Sequence, residues 1–385
     1  MTPAARVQAS IDILDEILGG VPVEKALTGW ARRSRFAGSK DRAAIRDHVF
    51  GAVRCKRSFA ALGGAATGRG LMIGASRAAQ ADLAALFTSE RHAPTAVLET
   101  EAGRDFAFDA ERYDIPDWMW PMFKDSLGDQ AVPVAEALQK RAPIHLRANL
   151  IKTNRFDAIA ALIQGGIVAR AHPASDTALE VVEGARKIAQ SRAYKDGLVE
   201  LQDAASQAVV SALDLQPGLR VLDYCAGGGG KSLALAAHDG VEVFAHDVNA
   251  GRMRDIPARA DRAGAKITTV STQEVRKHGP FDIVLVDAPC SGSGSWRRAP
   301  AGKWALTPQR LTELTELQFE ILEVTSSLVG QGGTLAYATC SMLRPENDEV
   351  VDRFTALHSE WREAFRKRWL PTEGADGFFA SHLKR

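Results

Sequence analysis

Two cysteines in this chain each follow a hydrophobic run that is typical of a buried strand. Cys290 stands in Asp-Ala-Pro-Cys-Ser-Gly after the run 281–286, and Cys340 stands in Ala-Thr-Cys-Ser after the run 334–337. Both cysteines should therefore lie at the C-terminal ends of strands, the edge of an open α/β sheet where ligands bind. Two thiols at one such edge favour covalent chemistry, because a thiolate is a strong nucleophile.

A glycine-rich segment predicts a cofactor site. Residues 221–232 read Val-Leu-Asp-Tyr-Cys-Ala-Gly-Gly-Gly-Gly-Lys-Ser, a strand followed by a loop and the start of a helix. Glycines let a ligand approach the backbone closely, and a helix start offers unpaired N–H donors. Asp247 should follow the next strand, where a carboxylate suits the hydroxyls of an adenosine ribose.

Four interpretations of this loop can be compared. A nucleoside-triphosphate loop needs a glycine where Cys225 stands, and the glycines at 227–230 do not form the Gly-x-Gly-x-x-Gly pattern of a dinucleotide site. The spacing of the glycines from Asp223 suits S-adenosylmethionine better. A glycine-rich turn without a ligand is the remaining alternative, but it does not explain why an aspartate follows the next strand at position 247.

A thiolate and S-adenosylmethionine together indicate one kind of reaction. Carbon 5 of a pyrimidine is a poor nucleophile, but a thiolate that adds to carbon 6 makes carbon 5 enamine-like and able to accept a methyl group. A base must then remove the proton from carbon 5 so that β-elimination frees the enzyme. A second thiol or a carboxylate can serve as that base.

The elements that must position these residues fall in the last part of the chain. Residues 217–385 alternate strands and helices with βαβ spacing, which predicts a mostly parallel, doubly wound sheet. The candidate strands are 219–224, 241–246, 266–270, 281–286, 333–338 and 377–380.

The rest of the chain follows different sequence patterns. Residues 1–140 follow helical spacing, with a glycine-rich loop at 63–74 and later helices at 77–88, 117–127 and 130–140. Residues 141–215 read as a small α/β module with strands near 144–150, 178–182 and 197–201. We therefore predict three domains, at 1–140, 141–215 and 216–385.

Charge and composition restrict the partners. The net charge is +1, so any binding to nucleic acid must come from local patches. One patch lies between Arg32 and Arg57, with nine basic residues against two acidic ones. A second joins Arg297 and Arg298 to Trp296 and Trp304, which would either stack on RNA or form an ordinary loop with partly buried indoles.

The cysteine positions and the hydropathy of the chain predict its cellular compartment and whether it binds a metal. The four cysteines are too far apart in sequence for a zinc pair, and a chain of 385 residues does not need disulfides for stability. No apolar run approaches the length of a membrane span, and the N-terminus does not read as a signal peptide. We expect a monomeric cytoplasmic protein with free thiols and without a metal site.

Taken together, these blocks resemble the Sun/Fmu (RsmB-type) RNA cytosine-C5 methyltransferases. The glycine loop with Gly-Gly-Lys, the Asp-Ala-Pro-Cys-Ser-Gly-x-Gly block and the Tyr-x-Thr-Cys-Ser block match that family in order and spacing over residues 143–385. The resemblance implies a class I S-adenosylmethionine-dependent methyltransferase core with a Rossmann-like sheet.

The resemblance also implies roles for individual residues. Cys340 corresponds to the nucleophile and Cys290 to the residue that assists product release. Asp287 would also reach the Watson–Crick edge of the cytosine, and Lys231 either organises the polar cluster or is a solvated lysine at a helix start. The implied cofactor contacts are Asp223, Cys225, Ala226, Gly227, Gly228, Gly229, Gly230, Lys231, Asp247, Ser271, Thr272 and Asp287. Four glycines stand before the lysine where the family has Pro-Gly-Gly. The alignment of each glycine with the family's loop can therefore shift by one position.

The helices at 1–140 resemble the NusB-like RNA-binding domain that precedes the catalytic core in bacterial members. This implies an RNA substrate, with ribosomal RNA as the first expectation. Transfer RNA, or a non-catalytic role in RNA binding or ribosome assembly, are the alternatives. The candidate RNA contacts are Arg42, Arg46, Arg54, Arg57, Arg147, Arg297 and Arg298.

Overall fold

The computed structural model describes all 385 residues, which group into two compact units. The first, here called the helical unit, consists of Met1–Lys124, Gly128–Arg141 and Trp296–Ala305. The second, here called the α/β unit, consists of Asp125–Leu127, Ala142–Ser295 and Leu306–Arg385.

The helical unit forms because apolar residues recur at helical spacing along its segments. On its first helix, Val7, Ile11 and Leu14 are buried, and the Thr2 hydroxyl caps the helix by accepting a hydrogen bond from the amide of Ala5. The helices that begin in this part of the chain are α1 Pro3–Leu18, α2 Val23–Arg33, α3 Ser39–Arg54, α4 Lys56–Gly63, α5 Gly68–Ala78, α6 Leu83–Leu86, α7 Asp109–Arg112, α8 Trp120–Leu127 and α9 Ala131–Gln139.

The predicted loop at 63–74 is wrong, and of the predicted helix at 77–88 the structure has the last residues of α5 and the short α6 Leu83–Leu86. Most of the glycine-rich stretch is helix α5, which ends at Ala78. The glycines are needed for packing, since a Cβ at Gly74 would lie 1.9 Å from the carbonyl oxygen of Phe59 in α4. A Cβ at Gly63 would lie 1.7 Å from the carbonyl oxygen of Gly70. Close backbone packing of α4 against α5 therefore outweighs the low helix propensity of glycine.

The segment Trp296–Ala305 is part of the helical unit, although it comes after the Cys290 block in sequence. The Trp304 indole N–H donates to the carbonyl of Val53 at 2.7 Å, and the Lys303 ammonium donates to the carbonyl of Arg54 at 3.0 Å. Trp296 is buried. Of the two interpretations of this segment, the structure therefore favours anchoring in the protein interior over stacking of both indoles on RNA.

The α/β unit begins with a small antiparallel sheet in the strand order β2-β3-β1-β4. Strand β2 was not predicted, because its four residues are mostly exposed and carry no apolar alternation. The core under this sheet includes Leu146, Leu162 and Leu179. Its elements are β1 Ile144–Ala148, α10 Arg155–Gln164, β2 Val168–Ala171, β3 Ala178–Glu183, α11 Arg192–Lys195, β4 Val199–Leu201 and α12 Ala204–Ser211.

The larger sheet of the α/β unit has seven strands in the order β10-β11-β9-β8-β5-β6-β7. Strands β5 to β9 are parallel, while β11 runs antiparallel to both of its neighbours. The strands are β5 Arg220–Asp223, β6 Glu242–Ala245, β7 Ile267–Thr269, β8 Phe281–Asp287, β9 Val329–Thr339, β10 Arg362–Trp369 and β11 Phe378–Lys384. The mostly parallel sheet predicted from the βαβ spacing is confirmed.

Helices connect these strands. They are α13 Gly230–Leu235, α14 Ile256–Ala263, α15 Val275–His278, α17 Pro308–Ser326 and α18 Asp348–Leu357, while α16 Ala301–Ala305 belongs to the helical unit. Every helix in the structure is too short or too polar to span a bilayer.

Parallel pairing brings the C-terminal ends of β5, β6, β8 and β9 to one edge of the sheet. The central strands are buried on both faces, as in the fully buried Leu222, Val284 and Leu335. Strand β10 was not predicted, because five of its eight residues are charged and it occupies the exposed edge of the sheet.

Candidate active site

The two predicted cysteines meet at this edge. The sulfur atoms of Cys290 and Cys340 lie 3.3 Å apart, and both residues are half-buried. The contact results from the register of β8 and β9, in which Asp287 pairs with Ala338 just before the two cysteine loops begin. The amide of Gly294 then donates to the carbonyl of Cys340 at 3.0 Å, which holds the loops together. Two half-buried thiols in contact can share one proton.

The surroundings of the two thiols differ in charge. The pKa of Cys290 is raised well above its usual value, first because of its hydrogen bond with Cys340, then because of burial and the nearby charges of Cys340 and Glu346. Lys231 lies near Cys340. Burial alone would lower the pKa of its ammonium, yet Asp287, 2.7 Å from Nζ, raises it. The thiol of Cys290 therefore holds its proton more strongly than an ordinary cysteine does.

The glycine loop between β5 and α13 requires glycine at two positions. Gly227 and Gly229 have φ of +52° and +79°, and a Cβ at Gly229 would lie 2.7 Å from Cγ1 of Ile256. The amide of Gly227 donates to Oδ2 of Asp247 at 3.0 Å, which joins the loop to the end of β6. Positive φ at both positions and the contact with Ile256 therefore require glycine in this strand-to-helix turn.

The residues present fit S-adenosylmethionine. Asp223, Asp247 and Asp287 follow or end three strands at the same sheet edge, and carboxylates accept hydrogen bonds from ribose hydroxyls and an ammonium group. Ser232 donates to Oδ2 of Asp223 at 2.6 Å, but the buried Oδ1 has no hydrogen-bond partner. Burial raises the pKa of Asp223 to about 6. An unpaired buried acceptor beside a glycine loop is what a ligand donor would satisfy.

Ser271 and Thr272, the other predicted cofactor contacts, lie exposed after β7. The Ser271 hydroxyl donates to Glu274 at 2.6 Å, and Thr272 contacts Nε2 of His246 at 2.8 Å. Nδ1 of His246 donates to the carbonyl of Tyr224 at 2.7 Å, so His246 connects the glycine loop to the loop after β7. His246 was not predicted as part of this site, because its only signal in the sequence is its position immediately before Asp247.

A buried carboxylate also went unnoticed. Glu346 is fully buried in the short turn Arg344–Glu346 that comes after the Cys340 block. Its carboxylate accepts hydrogen bonds from the amide and hydroxyl of Ser291, from the hydroxyl of Ser341 and from the side-chain amide of Gln318. The sequence does not predict this role, because Ser291 and Gln318 lie far from Glu346 in the chain, and Ser341 meets it only through a local turn.

Three of the predicted RNA contacts are corrected, because Arg54, Arg147 and Arg297 are buried. Arg54 donates to the carbonyl of Arg297 at 2.7 Å. Arg147 donates to the carbonyl of Gly230 at 2.8 Å and to Oε1 of Gln202 at 2.5 Å, and burial lowers its pKa to about 10. The guanidinium groups of Arg54 and Arg147 therefore bind backbone and side-chain oxygens of the protein, and the Arg297 side chain is buried.

The remaining predicted arginines are more accessible. Arg57 is half-buried and paired with Asp117, while Arg46 is exposed and forms two hydrogen bonds to Glu24. Arg42 is exposed and forms no ion pair. Arg298 is exposed and engaged in a further interaction.

A cleft between α2 and α3 collects several of these basic side chains. Its volume is about 510 Å³, and its lining includes Arg32, Arg35, Arg42 and Arg46. Arg32 and Arg35 are exposed and form no ion pair, and the neighbouring Phe36 is 77% exposed. Arg32 and Arg35 belong to the basic patch between Arg32 and Arg57, but neither was predicted as an RNA contact, because exposure and pairing are not readable from sequence.

Two family models match parts of this chain. Residues 210–384 match a family model described as 16S rRNA methyltransferase RsmB/F, and residues 115–187 match the ferredoxin-like domain of RsmF/B-like methyltransferases. The relatives include ribosomal RNA small subunit methyltransferase B of Yersinia enterocolitica, 31% identical over 74% of this chain and 69% of the relative. That of Klebsiella pneumoniae is 31% identical over 72% and 68%.

A further relative is the probable ribosomal RNA small subunit methyltransferase B of Bacillus subtilis, 33% identical over 70% of this chain. The match spans 66% of that relative's length. Among solved structures, PH0851 superposes with a TM-score of 0.78 at 23% identity, covering 100% of this chain and 99% of that one. A methyltransferase homologue from Pyrococcus horikoshii gives 0.62 at 24% identity over 72% and 97%. The fold is that of class I, Rossmann-like methyltransferases.

Proposed function

Since the chain belongs to the RsmB/F family of S-adenosylmethionine-dependent methyltransferases, we propose that it methylates carbon 5 of a cytosine in ribosomal RNA. The observation that carries the proposal is the contact of Cys290 with Cys340 at 3.3 Å, beside the Lys231–Asp287 ion pair. A single thiol can be structural, but two in contact at a ligand edge provide a nucleophile and a proton-transfer group.

In this proposal Cys340 is the nucleophile. Its thiolate forms a bond to carbon 6 of the cytosine, and the electrons of the 5,6 double bond become available at carbon 5. The Lys231 ammonium near Cys340 and the raised pKa of Cys290 support this choice. A cation favours the thiolate and an anion disfavours it.

S-adenosylmethionine supplies the methyl group as an electrophile. Asp247 and the loop 225–231 are proposed to hold its ribose and its amino acid part, with Asp223, Ser271 and Thr272 as further contacts. Asp287 is proposed to accept hydrogen bonds from the cytosine edge while it orients Lys231. The cytosine must leave its stack to reach Cys340, because the thiols lie at the end of strands within the fold.

Cys290 then assists release. After the methyl group is on carbon 5, the proton on that carbon must be removed and the bond from carbon 6 to the Cys340 sulfur must break. The two electrons of the C5–H bond re-form the 5,6 double bond, and the Cys340 sulfur leaves as a thiolate. Cys290 lies in contact with Cys340 and is proposed to donate a hydrogen bond from its thiol to the departing Cys340 thiolate, while water accepts the proton from carbon 5.

We also propose that the helical unit, which we expect to be NusB-like, binds the RNA backbone. The support is the cleft with Arg32, Arg35 and Arg42, whose guanidinium groups form no ion pair. Such groups attract phosphates, and the exposed Phe36 offers a surface on which a base can stack. Arg298, which is exposed, remains a candidate, and Arg46 and Arg57 are weaker ones because they are paired with Glu24 and Asp117.

The test is methyl transfer from labelled S-adenosylmethionine to total RNA, separated into 16S, 23S and transfer RNA. We expect label in 16S RNA, at a cytosine that bisulfite sequencing identifies, and none with Cys340→Ala. Label in transfer RNA alone would favour the other substrate class. No label in any fraction, with RNA binding intact, would favour a non-catalytic assembly factor.

A further inference from the structure

The two cysteine loops are joined by one buried carboxylate. Oε1 of Glu346 accepts hydrogen bonds from the amide of Ser291 at 2.7 Å and from Nε2 of Gln318 at 3.1 Å. Its Oε2 accepts hydrogen bonds from the hydroxyls of Ser291 and Ser341, each at 2.5 Å. Ser291 comes directly after Cys290 and Ser341 directly after Cys340, so both thiols are one residue away from a group that Glu346 holds.

The surrounding contacts fix Glu346 itself. The Tyr337 hydroxyl donates to the backbone carbonyl of Glu346 at 2.6 Å, and Gln318 also donates to the carbonyl of Pro289 at 2.9 Å. No lysine, arginine or histidine forms an ion pair with Glu346, which is fully buried. Charge-assisted hydrogen bonds from neutral donors therefore replace a counter-ion. A carboxylate in such a site serves packing poorly, since an apolar side chain would cost less to bury.

We propose that Glu346 is a positioning residue, whose carboxylate holds the loops of Cys290 and Cys340 in contact and disfavours a negative charge on Cys290. This inference rests on the proposed function, since it assigns Cys340 the part of nucleophile. Without the carboxylate, the hydroxyls of Ser291 and Ser341 would lose their common acceptor, and the two loops would be free to separate.

The effect of the Glu346 charge on Cys290 depends on the same contacts between the two cysteine loops. The negative charge of Glu346 disfavours a second negative charge at Cys290, and it contributes to the raised pKa of that thiol after the hydrogen bond to Cys340, burial and the charge of Cys340. The other ionisable groups around the thiols are Asp223, Cys225, Lys231, Asp287 and Tyr337. They are unchanged in a Glu346 variant, so a comparison with the parent protein isolates the effect of this carboxylate.

The test uses Glu346→Gln, which keeps the shape of the side chain and removes its charge. Iodoacetamide at low conversion, with peptide mass spectrometry across pH, gives the separate alkylation rates of Cys290 and Cys340 in the full chain without RNA. We expect the parent to react preferentially at Cys340. In Glu346→Gln that preference should fall about tenfold, which corresponds to about one pKa unit at Cys290.

Methylation provides the second measurement. With RNA as substrate, kcat of Glu346→Gln should fall about tenfold while KM for RNA stays close to that of the parent, because loop positions change and RNA contacts do not. Glu349→Gln is the matched control, since it neutralises an exposed carboxylate three residues away. It should match the parent in both measurements.

Each outcome decides something. Parent-like cysteine selectivity together with parent-like kcat in Glu346→Gln would overturn the proposal. If no RNA is methylated by the parent but the selectivity shift occurs, the proposed function fails and the positioning role of Glu346 stands. If Glu346→Gln does not fold, Ser341→Ala takes its place, since it keeps the carboxylate and removes one donor. That variant should lose kcat and keep the selectivity, and a parent-like kcat would overturn the proposal.

Discussion

Cys290 and Cys340 are fifty positions apart in the chain, yet their sulfur atoms lie 3.3 Å apart at the end of two adjacent parallel strands. The pair is electrostatically asymmetric. Lys231 contributes a positive charge near Cys340, and Glu346 contributes a negative charge near Cys290. This asymmetry distinguishes two thiols that the sequence presents in similar contexts, and it supports different roles for them.

The first prediction concerns the order of the two thiols. Cys340→Ala should be inactive and free of any covalent adduct, because the bond to carbon 6 never forms. Cys290→Ala should accumulate a protein–RNA adduct that survives denaturing gel electrophoresis, because release is blocked after methylation. An adduct with Cys340→Ala and none with Cys290→Ala would reverse the assignment. Intact methylation without an adduct in either variant would refute the covalent mechanism.

The second prediction concerns cofactor binding. Asp247→Ala should weaken S-adenosylmethionine binding by about 1.5–3 kcal/mol, since it removes a carboxylate acceptor and releases the amide of Gly227. Titration calorimetry on the folded variant measures this. Asp255→Ala is the control, because that carboxylate is 70% exposed. An affinity unchanged from the parent in Asp247→Ala would place the ribose elsewhere.

The third prediction concerns the cleft of the helical unit. Replacing Arg32, Arg35 and Arg42 together with glutamine should weaken RNA binding and reduce the slope of log affinity against log salt by about 2–3, because fewer counter-ions are released. Fluorescence anisotropy with labelled RNA at several salt concentrations gives this slope.

The control for the cleft is a triple variant with the same loss of charge elsewhere, Arg91→Gln, Lys195→Gln and Arg254→Gln, all at exposed positions. It should retain most of the parent slope. Equal slopes in the cleft variant and the parent would exclude the cleft as an RNA site.

The fourth prediction concerns Arg147, which the sequence suggested as an RNA contact. Arg147→Ala should lower the free energy of unfolding by about 2–4 kcal/mol, because the carbonyl of Gly230 and the Gln202 side chain lose a buried charged donor. Urea denaturation measures the change. Arg170→Ala, at an exposed ion pair with Glu180, should change it by less than about 1 kcal/mol. If Arg147→Ala has the stability of the parent but a reduced affinity for RNA, Arg147 is an RNA contact.

The fifth prediction concerns the buried Lys303 of the helical unit. Burial lowers its pKa to about 8, although the charges of Asp114 and Cys55 oppose this. Below pH 8 the ammonium is charged in both states and its burial cost is fully present. Between pH 8 and the ordinary value of 10.5, the unfolded chain binds a proton that the folded chain lacks, so the free energy of unfolding rises with pH.

Lys303→Met removes this dependence. From pH 7 to pH 10, the free energy of unfolding of the parent should rise by about 2–3 kcal/mol relative to Lys303→Met. Urea titrations of both proteins at the two pH values, monitored by tryptophan fluorescence, give the difference. Lys25→Met, at an exposed position of α2, should show no such change relative to the parent. A constant difference between parent and Lys303→Met would mean that Lys303 does not titrate in this range.

The sequence by itself determined the features that depend on local pattern. Buried parallel strands appear as short apolar runs, and the residues directly after these runs must lie at one edge of the sheet. This was enough to predict the larger sheet and to bring Asp223, Asp247, Cys290 and Cys340 to a common edge. The glycine loop was predictable for the same reason, since positive φ and close approach limit the choice of residue.

Only the tertiary structure decided the features that depend on contacts between distant segments. Helix α5 forms in spite of its glycines because α4 packs against its backbone. Arg147 is buried because Gly230, eighty-three positions later, accepts its hydrogen bond. Glu346 meets Ser291 across fifty-five positions. Burial and pairing decide whether a charged residue binds a ligand or the protein itself, and both are set by packing that no local pattern encodes.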